Sequence, residues 1–94
     1  MRKLPNLVIG NLVATIPIIQ GGMGVGISLS NLAYAVSNQG GIGVIATACI
    51  GENEPDFYNN YVEANNRALS KELKKARSMT SGILGVNIMV VLSN

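Results

Sequence analysis

Ile16-Pro17-Ile18-Ile19-Gln20-Gly21-Gly22-Met23-Gly24-Val25-Gly26 is the stretch whose reading decides the fold. A short β-branched run ends in a polar residue, then opens into a loop with glycine at four of six positions. With no Cβ in the way, the backbone of such a strand-to-loop turn comes close to a flat or phosphorylated ligand. A tight turn that needs glycine only for its dihedrals has the same composition, so the residues alone leave both readings open.

On the N-terminal side, residues 7–14 (Leu-Val-Ile-Gly-Asn-Leu-Val-Ala) read as a small hairpin turning at Gly10-Asn11, a ribbon suited to plugging one end of a larger sheet. Pro17 stands at the start of the isoleucine run, where a missing N–H is tolerated. After the glycine loop, Ser28 or Ser30 is placed to cap a helix running to about Gln39. Leu29, Leu32, Ala33 and Val36 give that helix one apolar face, and Gly40-Gly41 supplies a left-handed terminus. Residues Ile42 to Ala48 form a continuous apolar run, the signature of a strand buried on both faces.

Gly51 to Glu54 reads as a turn, with Pro55 opening a long helix that ends near Met79. Phe57, Tyr61, Ala64, Ala68, Leu69, Leu73 and Ala76 trace its apolar stripe, and Glu63 and Arg67 are spaced to pair. Thr80-Ser81-Gly82 breaks the helix before a third apolar run, Ile83 to Leu92, interrupted by Gly85 and Asn87. The pattern is β-α-β-α-β with parallel strands and right-handed crossovers, an α/β fold.

Composition narrows the function. The 94 residues are 48% hydrophobic and 13% charged, with a net charge of +2. That is half the charge of an average domain, at about 25%, and fits strands covered on both faces. Lys71, Lys74, Lys75 and Arg77 cluster without an aromatic partner for stacking bases, so they read as the solvated end of a helix and no nucleic-acid partner is expected. Cys49 is the single cysteine, which points to a reducing compartment and a small buried hydrophobe. The apolar runs 40–51 and 82–92 fall short of the roughly 18 residues of a bilayer span, and no signal-peptide core is evident. A soluble, cytoplasmic protein without membrane contact is the expectation.

In parallel α/β folds, ligands lie at the carboxyl ends of the strands. Gln20 to Gly26, Thr47-Ala48-Cys49 and Asn87 with Met89 collect there. Met23 is either a cap over the core or a soft contact for a ring. Asn87, a carboxamide in an apolar strand, needs hydrogen bonds when buried, from backbone or from a ligand. Thr47 reads as structural. Gly41-Ile-Gly43-Val-Ile-Ala46 matches a dinucleotide fingerprint by letter but precedes a strand, the wrong context; the Gly22-Met-Gly24 loop has the right context but Ile27 where the third glycine belongs. No Gly-Lys-Ser/Thr occurs, and with no His and one Cys no metal site is credible.

Pro17-Ile-Ile-Gln-Gly-Gly-Met-Gly24, Gly40-Gly-Ile-Gly-Val-Ile45 and Gly85-Val-Asn-Ile-Met89 together resemble the nitronate monooxygenase (2-nitropropane dioxygenase-like) family. These are FMN-dependent enzymes related to flavin-dependent enoyl-acyl-carrier-protein reductases. The three blocks stand in the family's order and spacing over essentially the whole chain, and Gly-Met-Gly-Val-Gly is closer to the nitronate oxidisers. The resemblance implies that residues 1–94 are the N-terminal, incomplete part of a single (β/α)8 (TIM) barrel that binds FMN. It implies that Gly22, Met23 and Gly24 contact the flavin through backbone and the Met side chain, and that Asn87 is the family's flavin-binding asparagine. The implied reaction is oxidation of an alkyl nitronate by O2 to a carbonyl compound and nitrite. The family's catalytic base is a histidine in a later segment, and this chain has no His, so no catalytic residue is assigned and the isolated chain is expected to be inactive. Enoyl-thioester reduction is the alternative enzyme reading, and a small non-catalytic α/β binding module is the alternative of another class. Oligomeric state and physiological substrate leave no mark on the sequence.

Overall fold

A computed structural model describes residues 4–89, in the order β1 (Leu7–Ile9), β2 (Leu12–Ala14), α1 (Ser30–Asn38), β3 (Ile42–Ala46), α2 (Tyr61–Met79) and β4 (Ile83–Asn87). β1 and β2 form the antiparallel hairpin, Leu7 opposite Ala14, with Gly10 at φ +59° in its two-residue turn. β3 and β4 pair in parallel from Ile42 opposite Ile83 to Ala46 opposite Asn87. The isoleucine run lies on the other side of β3, joined by a single parallel bridge, Ile19 to Ile42, and by backbone bonds from Ile42 N to Ile18 O (2.9 Å) and Gln20 N to Ile42 O (3.0 Å). It is an extended segment in strand position and not a full strand, because after this bridge the next N–H of β3 on that side, that of Val44, is taken by the Gln20 side chain and not by backbone. The second apolar run also stops early: the strand ends at Ala46, and residues 48–50 are a turn. Residues 90–92, expected to continue the third strand, lie outside the described residues.

β3 is buried along its whole length. Ile42 and Val44 pack with Ala14 of the hairpin, while Ile45 packs with Ala33 of α1 and Ala76 of α2. The period-two alternation of a strand thus serves two apolar layers at once. The helix layer sits close: a Cβ on Gly43 would stand 1.9 Å from the Ala33 carbonyl oxygen. That contact explains why the buried face of α1 is the small-residue set Ser30, Ala33 and Ser37; of the expected apolar face Ala33 lies on it, Leu29 packs against the same core and Leu32 turns outward.

Neither Ser28 nor Ser30 caps α1. Leu29 is the N-cap residue, and the Ser30 N–H donates to the Glu72 carboxylate of α2 at 3.0 Å, so a charge from another helix serves the terminus. At the other end Gly40, at φ +98°, donates to Ser37 O and Gly41 to Val36 O, the paired bonds of a Schellman terminus. α2 starts at Tyr61, six residues after Pro55. Residues 54–60 instead form successive turns, Phe57 N to Glu54 O, Asn59 N and Asn60 N to Asp56 O, and Asn60 leaves helical geometry at φ −152°. Phe57 therefore lies off the helix, edge-on to Tyr58, and Tyr61 is exposed. Ala64, Ala68 and Ala76 do line the buried face, with Leu69 and Leu73 against the core.

Arg67 pairs with Glu54 (2.8 Å) and with Asp56 of the preceding turns, not with Glu63, which accepts from Asn60 Nδ2 at 2.8 Å. Those turns bring two carboxylates to the guanidinium and outcompete the single i, i+4 partner. The basic end of α2 is exposed, as a solvated face requires. Cys49 is exposed as well, at φ +50° in the turn after β3, which corrects its reading as a buried hydrophobe.

Two outcomes follow. Gly43→Ala forces a methyl into the Ala33 carbonyl and is expected to lower stability by about 3 kcal/mol, near the top of the overpacking range; Gly21→Ala, which meets nothing within 4 Å, should be close to neutral in the same denaturant titration. Hydrogen bonds from Arg67 hold the Glu54 and Asp56 carboxyls below their usual range. A depressed folded-state pKa means stabilisation that is present above about pH 4 and is lost as pH falls through the folded value. In Arg67→Gln the carboxyl titration midpoints of both residues, read by NMR, should rise, with Lys71 still holding Glu54 below its ordinary value.

Candidate functional site

The site is built where the isoleucine segment leaves β3. β3 still needs acceptors for its N–H groups on that side. Ile18 O serves Ile42, the Gln20 side-chain oxygen serves Val44 at 2.9 Å, and Ser28 O serves Ala46 at 2.9 Å. Gln20 therefore stands in for the next backbone rung, and the chain between it and Ser28 is free to bulge out as the glycine loop.

Ser28, fully buried, ties both ends of that loop. Its hydroxyl accepts from Gln20 Nε2 (3.1 Å) and Met23 N (3.0 Å) and donates to Gly21 O (3.4 Å), while its N–H donates to Met23 O (2.9 Å). A hydroxyl has one donor and two acceptor sites, and all are used.

The loop brings Gly22 against Asn87, the last residue of β4: a Cβ on Gly22 would stand 2.5 Å from the Asn87 Cβ and Cγ. Only glycine fits there. A Cβ on Gly24 would touch that of Ala48 at 3.4 Å, so the loop also lies on the turn after β3. Thr47 holds Asn87 from below, its N–H and Oγ1 both donating to the Asn87 carbonyl, at 3.0 and 2.9 Å. Asn87 is exposed, not buried within its strand, so its carboxamide faces outward beside Gly22. Met23 is 47% exposed.

Of the four residues singled out by resemblance, the fold thus places Gly22 and Asn87 in direct contact, with Met23 and Gly24 next along the loop. Met23's backbone N–H and C=O are both committed to Ser28, so what Met23 has left to offer is its side chain. Gln20 and Ser28 were not singled out. The signal for Gln20 was a carboxamide closing a β-branched run; Ser28 read as a helix cap, and nothing in its neighbours betrays a bond five residues back.

The chemistry of this surface is compatible with a flat heteroaromatic ring. The glycine edge has no side chain to obstruct it, Met23 presents a polarisable thioether, and a carboxamide matches an edge bearing both acceptors and an N–H. The loop, α1 and β3 offer a phosphate no cation. Between Lys3 and Arg67 the sequence has neither Lys nor Arg, and Arg67 is committed to Glu54 and Asp56. The N-terminus of α1, otherwise an anion site, already holds Glu72. Among the described residues no group of His, Cys, Asp and Glu is arranged to hold a metal ion, and no helix is long and apolar enough to cross a membrane.

Gly22→Ala tests the contact directly. Its methyl has to displace the Asn87 side chain, so the Asn87 Nδ2 resonances should shift strongly while those of Asn38, on the far side of α1, stay in place.

A family model described as nitronate monooxygenase matches residues 6–94. No curated protein matches the chain.

Proposed function

Because the chain belongs to the nitronate monooxygenase family, oxidoreductases that are generally flavin-dependent, we propose that it forms the ring-binding part of an FMN-dependent enzyme oxidising alkyl nitronates with O2. The observation that carries this is the seat of Gly22 against Asn87, with Met23 exposed beside them. Gly22, Met23, Gly24 and Asn87 would hold the isoalloxazine ring, Asn87 by hydrogen bonds to its polar edge and Met23 by contact through its thioether. When bound, the flavin supplies the redox chemistry, taking electrons from the nitronate and passing them to dioxygen, with carbonyl compound and nitrite as products. The chain's residues supply orientation: Thr47 holds the Asn87 backbone, and the bare loop lets a ring approach the sheet end.

We propose further that residues 1–94 are the opening part of a (β/α)8 barrel. The isoleucine segment, β3 and β4 lie side by side in chain order and in parallel, as the first three strands of such a barrel do. Apolar residues are exposed on both outer segments of this sheet, Ile18 and Ile19 on one side and Val86 on the other, with Ile88 and Met89 just past the end of β4, which supports continuation by further strands. The phosphate and the proton-handling histidine of the family would then be served from outside these residues, since residues 4–66 contain neither Lys nor Arg and the sequence has no His. We also propose a cytoplasmic location, on the single cysteine of a chain that forms no internal disulfide.

The test uses the full encoded protein. It should purify with FMN and release nitrite from an alkyl nitronate under O2; reduction of a crotonyl thioester by NADH with no nitrite formed would move the assignment to enoyl reduction. Asn87→Leu should weaken FMN binding about tenfold, one lost hydrogen bond of roughly 1.4 kcal/mol. Residues 1–94 alone should release no nitrite. A colourless protein with no affinity for FMN, or unchanged affinity in Asn87→Leu, would remove the reading.

A further inference from the structure

We infer that Ser28 is a positioning residue for the flavin ring, acting through the glycine loop and braced by Gln20; this rests on the reading of Gly22, Met23 and Asn87 given above. The loop has no apolar anchor of its own. Every residue from Gly21 to Ile27 is exposed, so packing does not fix its course. What fixes it is the fully buried Ser28, through three bonds at its hydroxyl and one at its N–H, all to Gln20, Gly21 or Met23.

Gln20 is the brace because its carboxamide works at both ends: the oxygen accepts from Val44 N in the buried strand, and the nitrogen donates to Ser28 Oγ. The hydroxyl is thereby held at a set place relative to β3, and the Met23 N–H and Gly21 carbonyl are held relative to the hydroxyl. Gly22 lies between those two bonded residues, and Gly22 is the residue seated on Asn87. The Met23 side chain leaves the backbone at the second of them. Removing the Ser28 Oγ leaves the Met23 N–H and Gln20 Nε2 without their acceptor and the Gly21 carbonyl without its donor, and frees the loop while touching no group that would contact the ring.

A merely structural serine would act differently, and Ser37 provides the comparison. It is also buried, and its hydroxyl accepts from Thr80 Oγ1 at 3.4 Å, at the C-terminal end of α1, away from the loop.

The experiment uses the full encoded protein as wild type, Ser28→Ala and Ser37→Ala, with amide hydrogen exchange and FMN titration read in parallel. In the wild type without FMN, the Met23 amide should exchange at least tenfold more slowly than those of Gly22 and Gly24. Ser28→Ala should abolish that protection, raise the FMN Kd about tenfold or more, and move the visible absorbance of bound FMN toward that of the free cofactor. Ser37→Ala should lower the thermal midpoint yet leave the Kd and spectrum unchanged. Wild-type protein that binds FMN with a Met23 amide exchanging as fast as its neighbours overturns the positioning role alone, and this measurement decides the matter even if Ser28→Ala does not fold. Equal losses of FMN affinity in Ser28→Ala and Ser37→Ala overturn it too. Protein that takes up no FMN overturns the functional reading, and the positioning role with it, whatever the amide shows.

Discussion

A buried strand must have its N–H groups satisfied on both sides, and β3 is buried from Ile42 to Ala46. One side is taken by β4. On the other, the acceptors for Ile42, Val44 and Ala46 are a backbone carbonyl of the isoleucine segment, a side-chain amide oxygen and the carbonyl of Ser28. This mixed ladder is the constraint on which the rest depends. A plain three-rung ladder would have kept residues 21–23 in the sheet. Handing the middle rung to Gln20 releases them, so the glycine loop stands clear of the sheet end while both of its roots stay fixed to β3.

The second constraint is thickness. α1 lies so close to β3 that Gly43 has no room for a methyl, and the inner faces of both helices are built of Ala and Ser. Small residues let the hydrogen-bonded backbones approach, and the larger side chains Leu29, Leu69, Leu73 and Leu84 fill the margins around Ala33, Ile45 and Ala76. Because α1 follows the loop directly, its close seat on β3 also holds Ser28. Packing of the helix and placement of the loop are one problem, solved once.

Much of this was legible in the residues. The hairpin turn at Gly10-Asn11, the Gly40-Gly41 terminus and the doubly buried strand each follow from local chemistry, the strand ending two residues short of its apolar run. What was illegible was decided by partners distant in sequence. Pro55 is a sound helix opener by propensity, but Arg67, twelve residues on, draws Glu54 and Asp56 into a set of turns that the helix cannot include. Ser30 looked like a cap because the sequence does not show that Glu72, forty-two residues later, would reach its N–H. Leu32 fits the helical stripe by spacing, yet the face that meets β3 is chosen by size. At the candidate site, glycine and carboxamide could be named from sequence pattern, while the hydroxyl that roots the loop could not, since its bonds to Gln20, Gly21 and Met23 exist only once the loop has closed.

The charge distribution bears on what the proposed ring site can contribute. From Leu4 to Gly51 the sequence contains no Asp, Glu, Lys, Arg or His. The loop, α1 and β3 therefore carry no charged side chain of their own, the Glu72 carboxylate at the α1 terminus coming from another helix, and what Gly22 and Met23 themselves offer a ring is dipoles and a thioether. Fixed dipoles stabilise developing charge in proportion to how rigidly they are oriented, since a dipole free to turn must spend free energy on being ordered at the moment it is needed. A neutral site thus places the whole demand on orientation. That demand accounts for the density of hydrogen bonds beneath this loop: the amide of Asn87 can act as an aimed donor or acceptor only because Thr47 fixes its backbone and Gly22 closes one side of it.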